Sequence, residues 1–165
     1  MPMKPMKDFS SRGAFDDLST PFPAVEYLFP YMKKDWIYWE AAPGAGVLEN
    51  HLMNSGYDTI GIDHTDYDFL DKQWEIKSFD AVLTNPPFSL KSKFLERCQK
   101  LNKPFALLLP VTTLGARNCQ VHMHDVQVLF LPKRIDFTGK KAPWFSVAWF
   151  TKGFNLPHDL MFVDI

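Results

Sequence analysis

The sequence has little cysteine and lacks any long apolar run. Its two cysteines among 165 residues, Cys98 and Cys119, do not form a Cys-x-x-Cys pair. That scarcity argues against a disulfide framework and predicts a reduced, cytoplasmic protein. Every apolar stretch is shorter than the roughly 20 residues of a membrane-spanning helix, and the first residues are polar rather than typical of a signal peptide. We therefore expect no association with a membrane.

The chain also lacks a strong net charge, which is −1 at neutral pH. A charge this small argues against a protein that binds polyanions through charge alone. The distribution is uneven, however: residues 1–90 contain 7 Lys and Arg against 14 Asp and Glu, whereas residues 91–165 contain 11 against 5. This predicts an acidic half around a cationic or hydroxyl-bearing ligand and a basic half facing a polyanion, unless the charges are scattered by chance.

Short apolar runs typical of strands alternate with runs that have helical spacing. A helix is predicted to start at Ser19-Thr20-Pro21, with a hydroxyl cap and a proline in its first turn, and to end near Lys33-Lys34. Further helices are predicted over 47–54 and 90–101, and strands over 36–39, 59–62, 79–84, 105–109, 126–131 and 144–151.

This alternation predicts an α/β fold with a mostly parallel, doubly wound sheet and helices on both faces. Little helical sequence separates the last two strands, which predicts an antiparallel hairpin at the edge of the sheet. No repeat, low-complexity segment or linker interrupts the sequence. Residues 1–165 are therefore predicted to form a single domain, with residues 1–18 as an irregular tail.

A glycine turn, residues 40–46 (EAAPGAG), follows the first predicted strand and precedes a helix. Gly44 and Gly46 allow a tight turn and a close approach of the backbone to a ligand. The turn lacks the lysine of a phosphate-binding loop and begins with an acid, Glu40. Asp63 ends the next predicted strand, where a carboxylate can accept both hydroxyls of a ribose. Glu40 and Asp63 together fit a cationic ligand with a free ribose. A tight strand–helix turn that binds no ligand would have the same glycine pattern.

The most specific signal is the tetrapeptide Asn-Pro-Pro-Phe, residues 85–88, which follows another predicted strand. Two prolines fix the backbone and remove two donors, so the segment cannot continue the sheet. The remaining acceptors are the side-chain oxygen of Asn85 and the carbonyl of Pro86. Two acceptors suit a planar exocyclic amine, because hydrogen bonds from its N–H groups free the nitrogen lone pair for attack on a methyl group. The aromatic ring of Phe88 is predicted to stack on the base that carries the amine.

Together these residues resemble the Rossmann-like class I amino-methyltransferases, and most closely the adenine-N6 DNA methyltransferases. The resemblance covers roughly residues 18–152, with the glycine turn first and the tetrapeptide second. It implies S-adenosyl-L-methionine as the cofactor and the exocyclic amine of adenine in nucleic acid as the substrate, with DNA favoured over RNA. The residues implied in catalysis are Asn85, Pro86, Pro87 and Phe88.

The resemblance also implies a cofactor site. Thr20 and Pro21 match the segment that lies against the methionine end of the cofactor, and Asp63 matches the ribose-binding acid. Asp68 and Phe69 match the pair that meets the cofactor's adenine. The glycine turn and the tetrapeptide complete the implied set, with Glu40, Ala41, Gly44, Gly46 and Asn85.

Residues 134–151 are similar to the closing hairpin of the same family, which helps to form the pocket for the target base. Basic side chains around this pocket are predicted to contact phosphates, unless they form only a solvated basic face. The predicted nucleic-acid contacts are Arg117, Lys133, Arg134, Lys140, Lys141 and Trp144.

Members of this family usually carry a separate target-recognition domain, for which 165 residues leave no room. A site-specific or loosely specific methyltransferase of restriction-modification or phage type is therefore predicted. Two alternatives stay open: a protein glutamine methyltransferase, whose relatives usually have Tyr in place of Phe88, and a catalytically silent cofactor-binding subunit. No metal is predicted, because Cys119, His122 and His124 lack a second, distant pair of ligands.

Overall fold

The computed structural model describes residues 18–61, 68–71, 78–140 and 143–163. The strands are β1 Ile37–Glu40, β2 Asp58–Gly61, β3 Ala81–Thr84, β4 Phe105–Pro110, β5 Gln127–Phe130, β6 Val147–Lys152 and β7 Leu160–Phe162. The α-helices are α1 Phe22–Val25, α2 Val47–Asn54, α3 Lys91–Leu101 and α4 Arg117–Gln120, and 3-10 helices cover Glu26–Tyr31, Phe88–Leu90 and Val111–Gly115. No helix in these ranges is long and apolar enough to cross a membrane.

The strands form one seven-stranded sheet in the order β2-β1-β3-β4-β6-β5-β7. The pairs β1–β2, β1–β3, β3–β4 and β5–β7 are parallel, whereas β6 is antiparallel to both β4 and β5. This confirms the predicted α/β fold with a mostly parallel sheet and an antiparallel pair. β7, which was not predicted, pairs with β5 and extends the sheet beyond the antiparallel pair. At three residues, β7 is too short to show an alternating pattern.

Both faces of the sheet are covered, because successive side chains of a strand point to opposite sides. Tyr38 of β1 packs in the hydrophobic layer that contains Leu48 and Leu52 of α2. The next residue, Trp39, packs in the opposite layer with Phe94 of α3. The two layers hold the ends of β1 and β3 fixed, and the segments that follow these strands form the candidate site.

The first helix differs from its prediction in two respects. Pro21 rather than Thr20 is the N-cap, and the N–H of Ala24 donates to the Pro21 carbonyl at 2.9 Å without any side-chain cap. After one α-helical turn the chain tightens into the 3-10 helix Glu26–Tyr31, which contains Pro30. Proline has no N–H to donate and its ring crowds the preceding turn, so the regular α-helix cannot continue.

Candidate active site

A cavity of about 580 Å³ lies where the segments after β1 and β3 meet. Parallel neighbouring strands deliver these segments to the same edge of the sheet, which is the usual ligand-binding position in open α/β sheets. Four stretches line it: the entry segment (residues 18–20), the glycine turn with the start of α2, residues 68–70, and the tetrapeptide with the helix after it. The lining residues are Leu18, Ser19, Thr20, Glu40, Ala41, Ala42, Pro43, Gly44, Ala45, Val47, Leu48, Asp68, Phe69, Leu70, Asn85, Pro87, Leu90 and Phe94.

The glycine turn reverses the chain through left-handed backbone. Gly44 has φ +50° and Gly46, the N-cap of α2, has φ +74°. The N–H of Gly46 donates to the carbonyl of Pro43 at 2.7 Å, which closes the turn. A Cβ at either glycine would meet no described atom within 4 Å. Glycine is therefore favoured here by the positive φ and not by a close neighbour within the protein.

Glu40 ends β1 and is only 1% exposed. Its Oε1 accepts hydrogen bonds from the N–H of Ala42, at 3.0 Å, and from the hydroxyl of Thr84. Burial raises the pKa of Glu40 to about 8, although both hydrogen bonds act in the opposite direction. At neutral pH the carboxyl group is therefore mostly protonated, and a cation in the cavity would favour its ionised form.

Asn85 follows β3 and is held in one orientation by the entry segment. Its Nδ2 donates to the main-chain carbonyl of Leu18 at 3.0 Å. Because a carbonyl can only accept, this contact fixes which side of the amide is the nitrogen. Oδ1 is buried and has no hydrogen-bond partner within the described ranges. Asn85 Oδ1 is thus an oriented acceptor whose hydrogen-bonding capacity is unused within the described residues.

The rest of the tetrapeptide divides between the cavity and the core. Pro87 lines the cavity, whereas Pro86 is buried and absent from the lining. Phe88 is 8% exposed and packs edge-on against Phe145, with ring centroids 5.9 Å apart. The Phe88 ring therefore belongs to the hydrophobic layer in this conformation, and its stacking on a base stays a prediction.

Residues 68–70 form another part of the cavity wall. The N–H of Leu70 donates to Oδ1 of Asp68 at 2.9 Å, which shapes a short turn. Phe69 is buried and stacks on Phe94, with centroids 4.9 Å apart and planes 26° apart. The nearly buried Arg97 donates from Nε to the Phe69 carbonyl at 3.2 Å. Arg97 was not predicted as a site residue, although an arginine on the buried face of an amphipathic helix was an available signal.

Most of the predicted cofactor residues lie together. The predicted residues that line the cavity are Thr20, Glu40, Ala41, Gly44, Asp68, Phe69, Asn85 and Pro87. Pro21, the N-cap of α1, and Gly46, the N-cap of α2, are not among the lining residues. Asp63, the predicted ribose-binding acid, lies outside the described residues.

The predicted nucleic-acid contacts lie on two different connections. Lys133, Arg134, Lys140 and Trp144 are exposed on the connection between β5 and β6. Arg117 is exposed at the start of α4, between β4 and β5. Lys141 lies outside the described residues.

Within the described part of the chain, no group of three or more His, Cys, Asp or Glu side chains could hold a metal ion. Cys119 is buried, with its thiol 3.7 Å from the side-chain oxygen of Asn118. His124 instead lies at the surface, with Nε2 3.2 Å from Oδ2 of Asp125. Cys119 and His124, two of the residues weighed as metal ligands, thus contact Asn118 and Asp125 instead.

No protein-family model and no curated protein sequence matches the chain. Among solved structures, it is similar to a Pyrococcus horikoshii protein proposed to be an RNA methyltransferase, with a TM-score of 0.54 and 15% identity over 78% of this chain and 79% of that chain. It is also similar to the 23S rRNA methyltransferase ErmE, with a TM-score of 0.55 and 14% identity over 81% of this chain and 68% of that chain. The chain has the Rossmann-like fold of these methyltransferases.

Proposed function

We propose that the protein is an S-adenosylmethionine-dependent methyltransferase that acts on the exocyclic amine of adenine in nucleic acid. The observation that carries this proposal is the amide of Asn85, which has a buried, unpaired acceptor and lines a cavity shared with the glycine turn. A buried acceptor without a hydrogen bond lowers the stability of the folded protein unless a ligand donates a hydrogen bond to it. The fold that the chain shares with the solved neighbours supports the coarser part of the proposal, a methyltransferase.

The chemistry of the cavity fits a cationic cofactor. Its volume of about 580 Å³ falls within the roughly 300–1,000 Å³ common for ligand pockets. The described lining contains the acids Glu40 and Asp68 and no Lys or Arg, which disfavours a phosphate ligand. S-adenosylmethionine, when bound, supplies a methyl group on a positively charged sulfur. We assign its binding to Glu40, Gly44, Gly46, Asp63 and Asp68.

In the proposed reaction, the protein activates the amine and needs no general base of its own. Asn85 Oδ1 and the Pro86 carbonyl accept hydrogen bonds from the two N–H groups of the adenine amine. These bonds strengthen as positive charge develops on the nitrogen, which lowers the barrier. The nitrogen forms a bond to the methyl carbon while the carbon–sulfur bond breaks, and one proton then leaves the nitrogen for solvent.

The nucleic acid can be DNA or RNA, because the adenine amine is the same in both. The sequence resemblance favours DNA, whereas the two solved neighbours carry names that refer to RNA. Both polymers therefore belong in the test.

Transfer of a labelled methyl group to DNA, RNA and protein tests the proposal directly. We expect label on adenine in the wild-type reaction. Asn85→Ala should lose methyl transfer completely, while its Tm and its binding of the cofactor stay unchanged. Asn118→Ala, an exposed asparagine on α4, is the matched control and should retain activity. Full activity of Asn85→Ala would refute the assignment. Label on glutamine would favour a protein methyltransferase, and cofactor binding without transfer would favour a silent subunit.

A further inference from the structure

Trp144 is a solvent-exposed aromatic side chain that ring contacts connect to the tetrapeptide of the candidate active site. Its residue is 65% exposed, although tryptophan has the largest side chain of all. Single exposed apolar residues are common on protein surfaces and need no explanation by themselves. Trp144 differs because it is the outer end of a continuous line of aromatic rings.

This line runs from the tetrapeptide to the surface. Phe88 contacts Phe145 edge-on, with centroids 5.9 Å apart and planes at 76°. Trp144 contacts Phe145 in the same manner, at 5.5 Å and 86°. Phe88 lies three residues after Asn85, so two ring contacts separate the exposed indole from the residue that would hold the target amine. An edge-to-face contact occupies at most one face of the indole, which leaves another face open to a flat ligand.

The charge around Trp144 suits a polyanion. The connection between β5 and β6 exposes Lys133, Arg134 and Lys140. Arg134 also donates from Nη1 to the carbonyl of Pro143 at 3.3 Å, and so supports the residue before Trp144. The carboxylate oxygen Oδ1 of the one acid described in this connection, Asp136, accepts N–H bonds from the turn that follows it. Cations interleaved with an open aromatic face are typical of surfaces that bind single-stranded nucleic acid.

We propose that Trp144 stacks on an unpaired base next to the target adenine, so that the substrate is single-stranded or locally opened nucleic acid. This inference rests on the proposed function. In a duplex both faces of a base are covered by its neighbours, and an indole can reach a face only where the strand is unpaired. Phosphate contacts from the basic side chains would hold the strand, and the indole would hold the base beside the target.

Equilibrium binding of a short labelled single-stranded oligonucleotide, and of the duplex of the same sequence, tests this inference by fluorescence anisotropy. We expect Trp144→Ala to raise the Kd for the single strand by about tenfold, the loss expected when one base stack is removed. Trp144→Phe should recover most of the affinity, because a phenyl ring can still stack. Phe162→Ala, which removes an aromatic residue of 71% exposure on β7, should leave the Kd unchanged.

An unchanged Kd for the single strand in Trp144→Ala would overturn the inference. Equal weakening of single-strand and duplex binding would overturn it as well, because the indole would then not select unpaired bases. Thermal unfolding of each variant shows that the protein is folded. The binding comparison does not depend on methyl transfer, so a protein that binds through Trp144 but methylates no nucleic acid would refute the proposed function alone.

Discussion

The carboxyl group of Glu40 lies where water cannot solvate its charge. Burial opposes ionisation, and the hydrogen bonds from Ala42 and Thr84 offset only part of that effect, which leaves the pKa at about 8. The native state therefore binds a proton that the unfolded chain, with an ordinary pKa of 4.5, releases. A proton held more tightly in the native state makes stability fall as pH rises.

We predict that the free energy of unfolding of the cofactor-free protein falls between about pH 4.5 and pH 8, and levels off above pH 8. Glu40→Gln keeps an oxygen acceptor for both donors but cannot ionise, so this decrease, on the order of a few kcal/mol, should disappear. Urea unfolding across this pH range measures it. Thr84→Val removes a bond that lowers the pKa of Glu40, and should extend the decrease to higher pH. A wild-type protein whose stability does not change across this range would contradict the prediction.

The orientation of the Asn85 amide depends on the hydrogen bond from Nδ2 to the Leu18 carbonyl. Asn85→Asp replaces the donor that faces the Leu18 carbonyl with an oxygen, and an ionised carboxylate would be repelled there. We expect kcat to fall by about 100-fold near neutral pH, a loss comparable to removal of one oriented group from an active site. Activity should partly recover at acid pH, where a protonated carboxyl can donate to Leu18.

The pH profile of kcat in the labelled-methyl assay separates this effect from a general loss of structure. Asn85→Ala, which can neither donate nor accept, should show no recovery at any pH. An Asp variant as active as the wild type throughout would show that the Leu18 contact does not orient the reactive group.

At the scale of elements, the glycine turn is a junction whose shape depends on two left-handed residues. The cost of a side chain there is conformational, because no described atom lies within 4 Å of a Cβ at Gly44 or Gly46. Gly46 also caps α2, so strain at this position is transmitted to the start of a helix that lines the cavity.

We predict that Gly46→Ala lowers the free energy of unfolding by about 1–2 kcal/mol, the cost of left-handed backbone for a residue with a Cβ. The matched control is Gly115→Ala, because Gly115 also has open space around it but no positive φ. Urea unfolding of both variants measures the difference. Equal stability of the two variants would show that the turn relaxes to another conformation at little cost.

The elements that local sequence determines were predictable, and those that depend on distant partners were not. The strand–turn–helix unit around Gly44 and Gly46 follows from turn chemistry and hydrophobic spacing, and it forms nearly as predicted. Pro30 was visible in the sequence, but its effect on the first helix was overlooked. β7 forms because β5 offers an unpaired edge, and nothing within residues 160–162 signals that edge.

At the scale of the whole molecule, the candidate site also combines features that local sequence predicts with contacts between distant residues that it does not. Motif order placed Glu40 and Asn85 at adjacent strand ends, because parallel strands share a carboxyl edge. The contact between Asn85 and the Leu18 carbonyl joins residues 67 positions apart. A main-chain carbonyl is present at every residue, so sequence alone carries no signal for it. The same holds for the Phe69 carbonyl that Arg97 binds.

A ligand that bridges separate parts of the chain should stabilise the whole molecule. S-adenosylmethionine at about 100 times its Kd would add roughly 2.7 kcal/mol, which corresponds to a rise in Tm of about 5–10 °C for a chain of this size. Calorimetry with and without cofactor measures the shift. Asn85→Ala should retain it, whereas Gly44→Val should lose most of it. An unchanged Tm at saturating cofactor would contradict the assignment of the cavity.

The hydrogen bond from Asn85 to the Leu18 carbonyl is separate from the contacts that hold the first helix against the sheet. Trp149 donates from Nε1 to the Ala24 carbonyl at 2.7 Å, so α1 keeps its own anchor. A protease cut between Ser19 and Thr20 would release the orienting carbonyl, whereas among the described residues the two hydrophobic layers begin only at Ala24. We expect the clipped molecule to keep its fold, but the side-chain amide of Asn85 would lose the carbonyl that orients it. Under the proposed function, we therefore expect cleavage of this one peptide bond to abolish methyl transfer without unfolding the protein.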